Sequence, residues 1–98
     1  PSLDATATAV AARLLLKALA VMAPGKSVEV RVPPCGAIQC MEGPRHTRGT
    51  PGSVVETDAV TWLELTTGRV TWAHATEHGR VRASGERADL SPLLPLLS

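Results

Sequence analysis

His74, Glu77 and His78 stand in the order H-x-x-E-H. On a helix, two histidines four positions apart point to one side and could bind zinc, with the glutamate as the base that activates a water molecule. A hydrolytic zinc site also needs a third protein ligand and a walled cleft. Downstream, only Glu86 and Asp89 could supply that ligand. We therefore expect solvated polar residues on a short helix, with no metal and no zinc-dependent activity.

Cys35 and Cys40 are the other candidates for reactive groups. Their spacing fits neither the C-x-x-C of a redox helix nor half of a zinc knot, and two cysteines do not make a disulfide framework. Cys40 is predicted to be buried as a small hydrophobe, whereas Cys35, after two prolines, is expected to be more accessible. A Cys35 nucleophile with His46 as its base is the enzyme alternative that the sequence leaves open.

The stretch EGPRHTRGTPG is a long polar loop with three glycines. Its Arg45, His46 and Arg48 could contact the carboxylate or phosphate of an anionic headgroup. Alternatively, the two arginines pair with nearby carboxylates and the loop binds nothing. The sequence leaves both interpretations open.

Length and charge narrow the class of protein. A chain of 98 residues is predicted to form one domain, 1–98, with one modest core. The formal net charge of +1 and the two tryptophans, with no Phe or Tyr, argue against a nucleic-acid partner. Such a partner requires a concentrated basic face or a stacking platform of aromatic residues.

The apolar stretch 5–23 resembles a membrane or targeting segment at first sight. Arg13 and Lys17 interrupt it, Asp4 stands where a signal peptide needs a positive charge, and Pro24 follows it. Apolar residues gather on one broad face at helical spacing, which predicts an amphipathic helix that covers a core with this face. They are Leu3, Ala7, Val10, Ala11, Leu14, Leu15, Ala18, Val21 and Met22. We expect a soluble, cytoplasmic protein.

The rest of the chain alternates between strand and helix patterns. Asp58 and Thr71 are predicted to cap two helices that Gly68 and Gly79 close. Strands are predicted over 28–32, 35–42, 53–57 and 80–84, helices over 59–67 and 72–78, and a helical turn from Ser91. The predicted order is α-β-β-β-α-α-β-α, an α+β fold.

The C-terminal stretch SPLLPLLS holds four leucines within five positions. Four leucines on one turn cannot all point inward. Either they cover the sheet, or they plug an apolar cavity and partly reach the surface as a lid or a membrane-touching tip.

From Val54 onward the segments VVET, WLELTTG, WAHATEHG, RVRASG and LSPLLPLL resemble the sterol carrier protein family in order and spacing. The resemblance rests on a set of apolar, threonine and glycine positions: Leu63, Leu65, Thr67, Gly68, Ala75, Gly79, Val81 and Gly85. It extends to the stretch VRVPPCGAIQCMEGPRHTRGTP, which is similar to the compact bacterial branch of the family.

The resemblance implies a two-layer sandwich in which helices cover one face of a mixed, mostly antiparallel sheet of four to five strands. It also implies an apolar tunnel for sterols, fatty acids or acyl-coenzyme A, without catalytic residues. The short helix of the family usually carries aromatic residues where this chain has Thr76 and Glu77. A smaller cavity is therefore expected.

Our first hypothesis is a non-enzymatic domain, without a cofactor, that binds or transfers a lipid or other apolar small molecule between helices and sheet. The expected cavity wall comprises Trp62, Leu63, Trp72, Ala75, Leu93 and Leu96, and the expected headgroup contacts are Arg45, His46 and Arg48. Transient membrane contact fits this hypothesis, as does a monomer or a dimer. The alternative is an interaction module with the same fold and a filled interior.

Overall fold

The computed structural model describes residues 4–43 and 52–97. Within these ranges the order of elements is the predicted one, and the α+β class is confirmed. The elements are α1 (Ala5–Met22), β1 (Val28–Val32), β2 (Gly36–Cys40), β3 (Ser53–Thr57), α2 (Ala59–Thr67), α3 (Trp72–Glu77), β4 (Val81–Ser84) and a 3-10 turn (Ser91–Leu93).

The described strands form one mixed sheet in the order β2-β1-β3-β4. β1 is antiparallel to β2 and parallel to β3, and β4 closes the sheet antiparallel to β3. The alternation of residues in β1 shows which face of the sheet is buried. Its valines, Val28, Val30 and Val32, are fully buried. Glu29 and Arg31 form an ion pair on the other face. The helices therefore cover one face of the sheet.

Helix α1 starts at Asp4, whose Oδ1 accepts a hydrogen bond of 2.7 Å from the Ala7 N–H. It packs on β2 and α2 through Ala12, Leu16 and Leu19, which are buried. The face that the periodicity placed toward the core is wrong, because none of these three residues belongs to it. The opposite side leaves several large apolar side chains exposed: Val10, Leu14, Val21 and Met22. The apolar face of α1 is thus wider than the part that the core covers.

Length and composition alone would also allow α1 to cross a membrane. In this fold, however, the indole N–H of Trp62 donates a hydrogen bond of 3.1 Å to the carbonyl oxygen of Ala12. This buried contact fixes α1 on α2, so the domain uses α1 as one of its packed helices.

Both predicted caps of the shorter helices are confirmed. Asp58 Oδ1 accepts from the Thr61 N–H at 2.8 Å, and Thr71 Oγ1 accepts from the His74 N–H at 3.1 Å. Gly68 ends α2 in the left-handed conformation, with φ of 81°. The reversal at Gly68 brings the start of α3 back beside the end of α2.

The C-terminal segment crosses the end of α2. The N–H groups of Leu96 and Leu97 both donate to the carbonyl oxygen of Thr66, at 3.0 and 2.9 Å. Leu90 is fully buried, although it precedes the leucine cluster and no periodic pattern marks it. Of the clustered leucines, Leu93, Leu94 and Leu96 pack on the core in part, and Leu97 is exposed.

Gly85 offers a test of backbone packing, with Gly79 as a matched control. Both have positive φ, 98° and 70°, so alanine costs about 1–2 kcal/mol at either position. A Cβ on Gly85 would also lie 2.3 Å from the Gly52 carbonyl oxygen and 2.5 Å from Ser53 Oγ, whereas at Gly79 nothing lies within 4 Å.

We expect Gly85→Ala to lower the free energy of unfolding clearly more than Gly79→Ala does, as measured by urea denaturation. Ser53 cannot easily turn away, because its Oγ accepts a hydrogen bond from the Arg87 N–H at 2.9 Å. Equal losses in the two variants would show that the approach of Gly85 to β3 is loose.

Asp58 makes the stability of the domain depend on pH. Burial acts to raise the pKa of this carboxyl, but hydrogen bonds from the Thr61 N–H and hydroxyl, together with the Arg80 charge, outweigh burial and hold the pKa below its usual value. A lowered folded-state pKa contributes stability above the unfolded value of about 3.9, and this stability is lost as pH falls through the folded value.

We therefore expect the free energy of unfolding to fall on acidification below about pH 4, and less steeply in Asp58→Asn. Urea titrations of both proteins between neutral and acidic pH would measure the slopes. The same slope in both proteins would assign the acid sensitivity to other carboxyls, such as Asp89, whose pKa is also lowered, by hydrogen bonds from Ser91.

Candidate functional site

An apolar cavity of about 360 Å³ opens at the end of the helical layer. It lies between the C-terminal end of α2, the loop to α3, the first residues of α3 and the C-terminal segment. Its lining consists of Leu65, Gly68, Val70, Thr71, Trp72, Ala73, Ser91, Leu94 and Pro95.

The local sequence explains why a cavity forms here. Gly68 turns the chain sharply, and the Arg69 N–H then donates to the Glu64 carbonyl oxygen at 2.9 Å. Thr71 begins α3 only three residues after Gly68, so Val70 and Trp72 stand beside the end of α2 instead of continuing it. The loop and the first turn of α3 thus form one wall.

The opposite wall comes from the C-terminal segment. The two hydrogen bonds to the Thr66 carbonyl oxygen hold this segment at the end of α2, which places Leu94 and Pro95 across from Trp72. The Pro95 ring lies close to Gly68: a Cβ on Gly68 would be 3.5 Å from it. Residues distant in sequence therefore complete the cavity.

The lining suits an apolar ligand. Its side chains are aliphatic or aromatic except for two hydroxyls, and none of these residues carries a charge. Thr71 Oγ1 already accepts a hydrogen bond as the cap of α3, and Ser91 is hydrogen-bonded to the carboxylate of Asp89. Binding here would rest on burial of apolar surface, with at most weak polar orientation.

The predicted wall residues fall into three groups. Trp72 lines the cavity, whereas Trp62 and Ala75 are fully buried in the core. Leu63, Leu93 and Leu96 are half-buried but do not belong to the lining. The three predicted headgroup residues, Arg45, His46 and Arg48, lie outside the described residues.

The cavity differs in position from the one that the sequence suggests. Its lining contains helix, loop and C-terminal residues but no residue of the described strands. Between helices and sheet, the Trp62 ring and the buried valines of β1 are part of one continuous core. Trp62 therefore belongs to the core and does not line the cavity.

Leu65, Val70, Leu94 and Pro95 line the cavity but are missing from the sequence-based set. The signal that could have found them is the close succession of Gly68 and Thr71. A helix end followed almost at once by a helix start leaves the intervening side chains beside the junction. The contribution of Leu94 and Pro95 depends on long-range packing and has no local signal.

Both cysteines are free thiols and buried. Cys35 is more exposed than Cys40, as predicted, but at 9% it is still buried in the turn between β1 and β2, where its N–H donates to the Val32 carbonyl oxygen at 2.7 Å. The turn folds the side chain inward. Cys40 is fully buried as predicted, and burial raises the pKa of its thiol to about 11.

A second, open cleft of about 270 Å³ lies where β4 begins, next to the start of α2. Its lining carries four charged residues: Glu56, Asp58, Arg80 and Arg82. The guanidinium of Arg80 forms an ion pair with Glu64 and donates to Thr61 Oγ1 at 3.2 Å. Thr61 in turn donates to Asp58 at 2.9 Å. These contacts connect Arg80, the residue before β4, to α2 and its cap.

Comparison with models of protein families shows to which family the chain belongs. The model of the family described as "Bacterial SCP ortholog" matches residues 4–96. The chain belongs to this bacterial sterol carrier protein family. A search of curated proteins found no match.

Membership in the sterol carrier protein family agrees with the α+β fold and with a non-enzymatic carrier as the usual role of its members. It also agrees with the binding of apolar ligands. The short helix that the family resemblance assigned to residues 72–78 is α3, and it contributes Trp72 to the cavity.

Proposed function

We propose that this domain binds and transfers an apolar small molecule, without catalysing a reaction. The observation that carries the proposal is the uncharged cavity between α2, α3 and the C-terminal segment. Family membership supports the same class of ligand. The ligand would insert its apolar part between Trp72 and Leu94.

The size of the cavity favours a short ligand. Its volume of about 360 Å³ is near the lower end of the range for small-molecule sites, roughly 300–1,000 Å³. A single acyl chain of moderate length suits this volume better than a rigid, bulky sterol. A flexible chain can also follow the bend that Gly68 and Pro95 impose on the walls.

We also propose that α1 makes transient contact with membranes that carry anionic lipids. Its exposed apolar residues include Leu14 and Val21, at 60% and 79% exposure. Arg13 and Lys17 are also exposed, and α1 itself contains no carboxylate. A helix with exposed apolar residues and only basic charges is suited to an anionic lipid surface.

Two measurements test the ligand proposal. Lipid extraction and mass spectrometry of freshly purified protein should recover an acyl-type molecule, and unlabelled fatty acids should displace a fluorescent fatty acid. Displacement should be stronger for moderate chains than for cholesterol. An empty extract together with no binding of the fluorescent probe would remove the proposal.

The alternative role, an interaction module, is favoured by the exposed apolar residues of α1. A second copy could cover them, since closed two-fold dimers bury the same patch on both subunits. Light scattering and vesicle co-sedimentation separate the two roles. A stable dimer that does not co-sediment with anionic vesicles would support the interaction module. A monomer that binds these vesicles would support lipid transfer.

A further inference from the structure

On the basis of the proposed function, we infer that residues 91–97, the C-terminal strap, release from the end of α2 to let a ligand enter and leave the cavity. The strap forms one side of the lining through Ser91, Leu94 and Pro95. The end of α2, the start of α3 and the loop between them form the other side. A ligand in the cavity would therefore contact two segments that share no helix or sheet.

The strap begins where burial ends. Leu90 is fully buried, whereas none of the strap residues is. Its half-buried side chains are those of Leu93, Leu94 and Leu96. Pro95 has no backbone N–H, so the 3-10 turn cannot extend into a longer helix that would fix the strap. The hinge of the strap thus lies directly after Leu90.

The free end of the strap is attached to α2 through one acceptor. The N–H groups of Leu96 and Leu97 both donate to the carbonyl oxygen of Thr66, at 3.0 and 2.9 Å. Thr66 lies in the last turn of α2, where carbonyl groups have no partner within the helix, so water can replace both donors when the strap leaves. The other described hydrogen bonds of the strap join it only to itself, to Asp89 and to Leu90.

The hinge and the attachment to Thr66 lie on either side of the cavity-lining part of the strap. Leu94 and Pro95 stand between them in the chain. Pro95 packs directly on Gly68, since a Cβ on Gly68 would be 3.5 Å from the Pro95 ring, which leaves no room for a ligand between them. Loss of the two hydrogen bonds frees this whole wall at once. Opening of such a segment commonly sets the rate at which a bound molecule leaves.

Amide hydrogen exchange tests the opening of the strap without a ligand. Amides that exchange by local opening do so at a rate that low urea concentrations leave unchanged, whereas amides that exchange only by global unfolding follow the unfolding equilibrium. We expect the first behaviour for Leu96 and Leu97. The second is expected for β1, which lies between two strands. Exchange of Leu96 and Leu97 only together with β1 would overturn the inference.

A disulfide between Gly68→Cys and Pro95→Cys would lock the strap in place. A Cβ on Gly68 would lie 3.6 Å from the Cβ of Pro95, within the range of about 3.5–4.5 Å that disulfides span. Cys35 and Cys40 are buried, and peptide mapping shows which thiols have joined. The reduced form of the same double variant carries both substitutions, including the side chain at the positive φ of Gly68, and is therefore the control.

The double variant is loaded with a fluorescent fatty acid and then oxidised. We expect the oxidised form to release this probe to excess unlabelled fatty acid about tenfold or more slowly than the reduced form, because the lining can no longer open. Equal release rates in the two forms would overturn the inference. A parent protein that binds no fatty acid would instead contradict the proposed function, and amide exchange would still decide whether the strap opens.

Leu97→Pro and Leu97→Ala test the attachment to Thr66 in a chain that keeps Gly68 and Pro95. Proline has no N–H and removes one of the two hydrogen bonds, whereas alanine keeps it. The Leu97 side chain is 55% exposed, so its loss changes packing little in either variant. We expect Leu97→Pro to release the fatty acid about fivefold faster than the parent, the factor for one typical hydrogen bond, and Leu97→Ala to match the parent. The same rate in both variants would show that these hydrogen bonds do not hold the strap closed.

Discussion

Trp62→Ala is expected to destabilise the domain strongly. The Trp62 side chain is fully buried, and its indole N–H donates to the Ala12 carbonyl oxygen at 3.1 Å, which joins α2 to α1. Truncation of a buried tryptophan costs about 3–5 kcal/mol. A domain of this size has a total stability of about 5–15 kcal/mol, so this one substitution would remove between about a fifth and all of it.

Urea denaturation followed by circular dichroism measures this loss, with two variants for comparison. Trp62→Phe keeps an aromatic ring but removes the N–H donor, and we expect a smaller loss of about 1–2 kcal/mol. Trp72→Ala truncates the half-buried tryptophan and should also cost less than Trp62→Ala. If Trp62→Ala lowered the free energy of unfolding by less than Trp72→Ala does, Trp62 would not be the central packing residue.

Ala73→Trp is expected to weaken the binding of an apolar ligand by about tenfold or more. Ala73 is exposed and lines the cavity, so an indole there can occupy ligand space without entering the core. Excluding two methylene groups from burial costs about 1.6 kcal/mol, which is more than a tenfold loss of affinity. Displacement of a fluorescent fatty acid measures the change.

Ala37→Trp is the matched control for Ala73→Trp. Ala37 is an exposed residue of β2 and is remote from the lining of the cavity. Both variants should unfold at urea concentrations close to that of the parent, while only Ala73→Trp loses affinity. Unchanged affinity in Ala73→Trp would mean that the fatty acid binds to another part of the protein.

The helices and strands could be predicted because their signals are local. The alternation of VEVRV assigns β1 and its buried face, and Asp58, Gly68 and Thr71 mark the ends of α2 and α3 through their own side-chain and backbone chemistry. The periodic apolar residues of 5–22 likewise define α1. Each of these signals lies within a few residues of the structure that it specifies.

The ligand-binding residues stay a prediction. Of the residues chosen for the wall, Trp72 lines the cavity at the helix ends, whereas Trp62 and Ala75 are buried in the core. Their amphipathic pattern shows that they point inward but not whether they meet a cavity or other side chains. Leu90 shows the same limit, because a single leucine after a strand carries no periodicity, yet it is fully buried.

The sequence by itself determined the order of the elements, the dry face of the sheet, the caps and the family resemblance, because adjacent residues encode all of these. Only the tertiary structure decided that Thr66 receives the C-terminal segment, that Pro95 faces Gly68, and that Cys35 turns inward. These contacts join segments by packing and backbone hydrogen bonds, which leave no pattern in either segment alone. The candidate ligand site is built from such contacts.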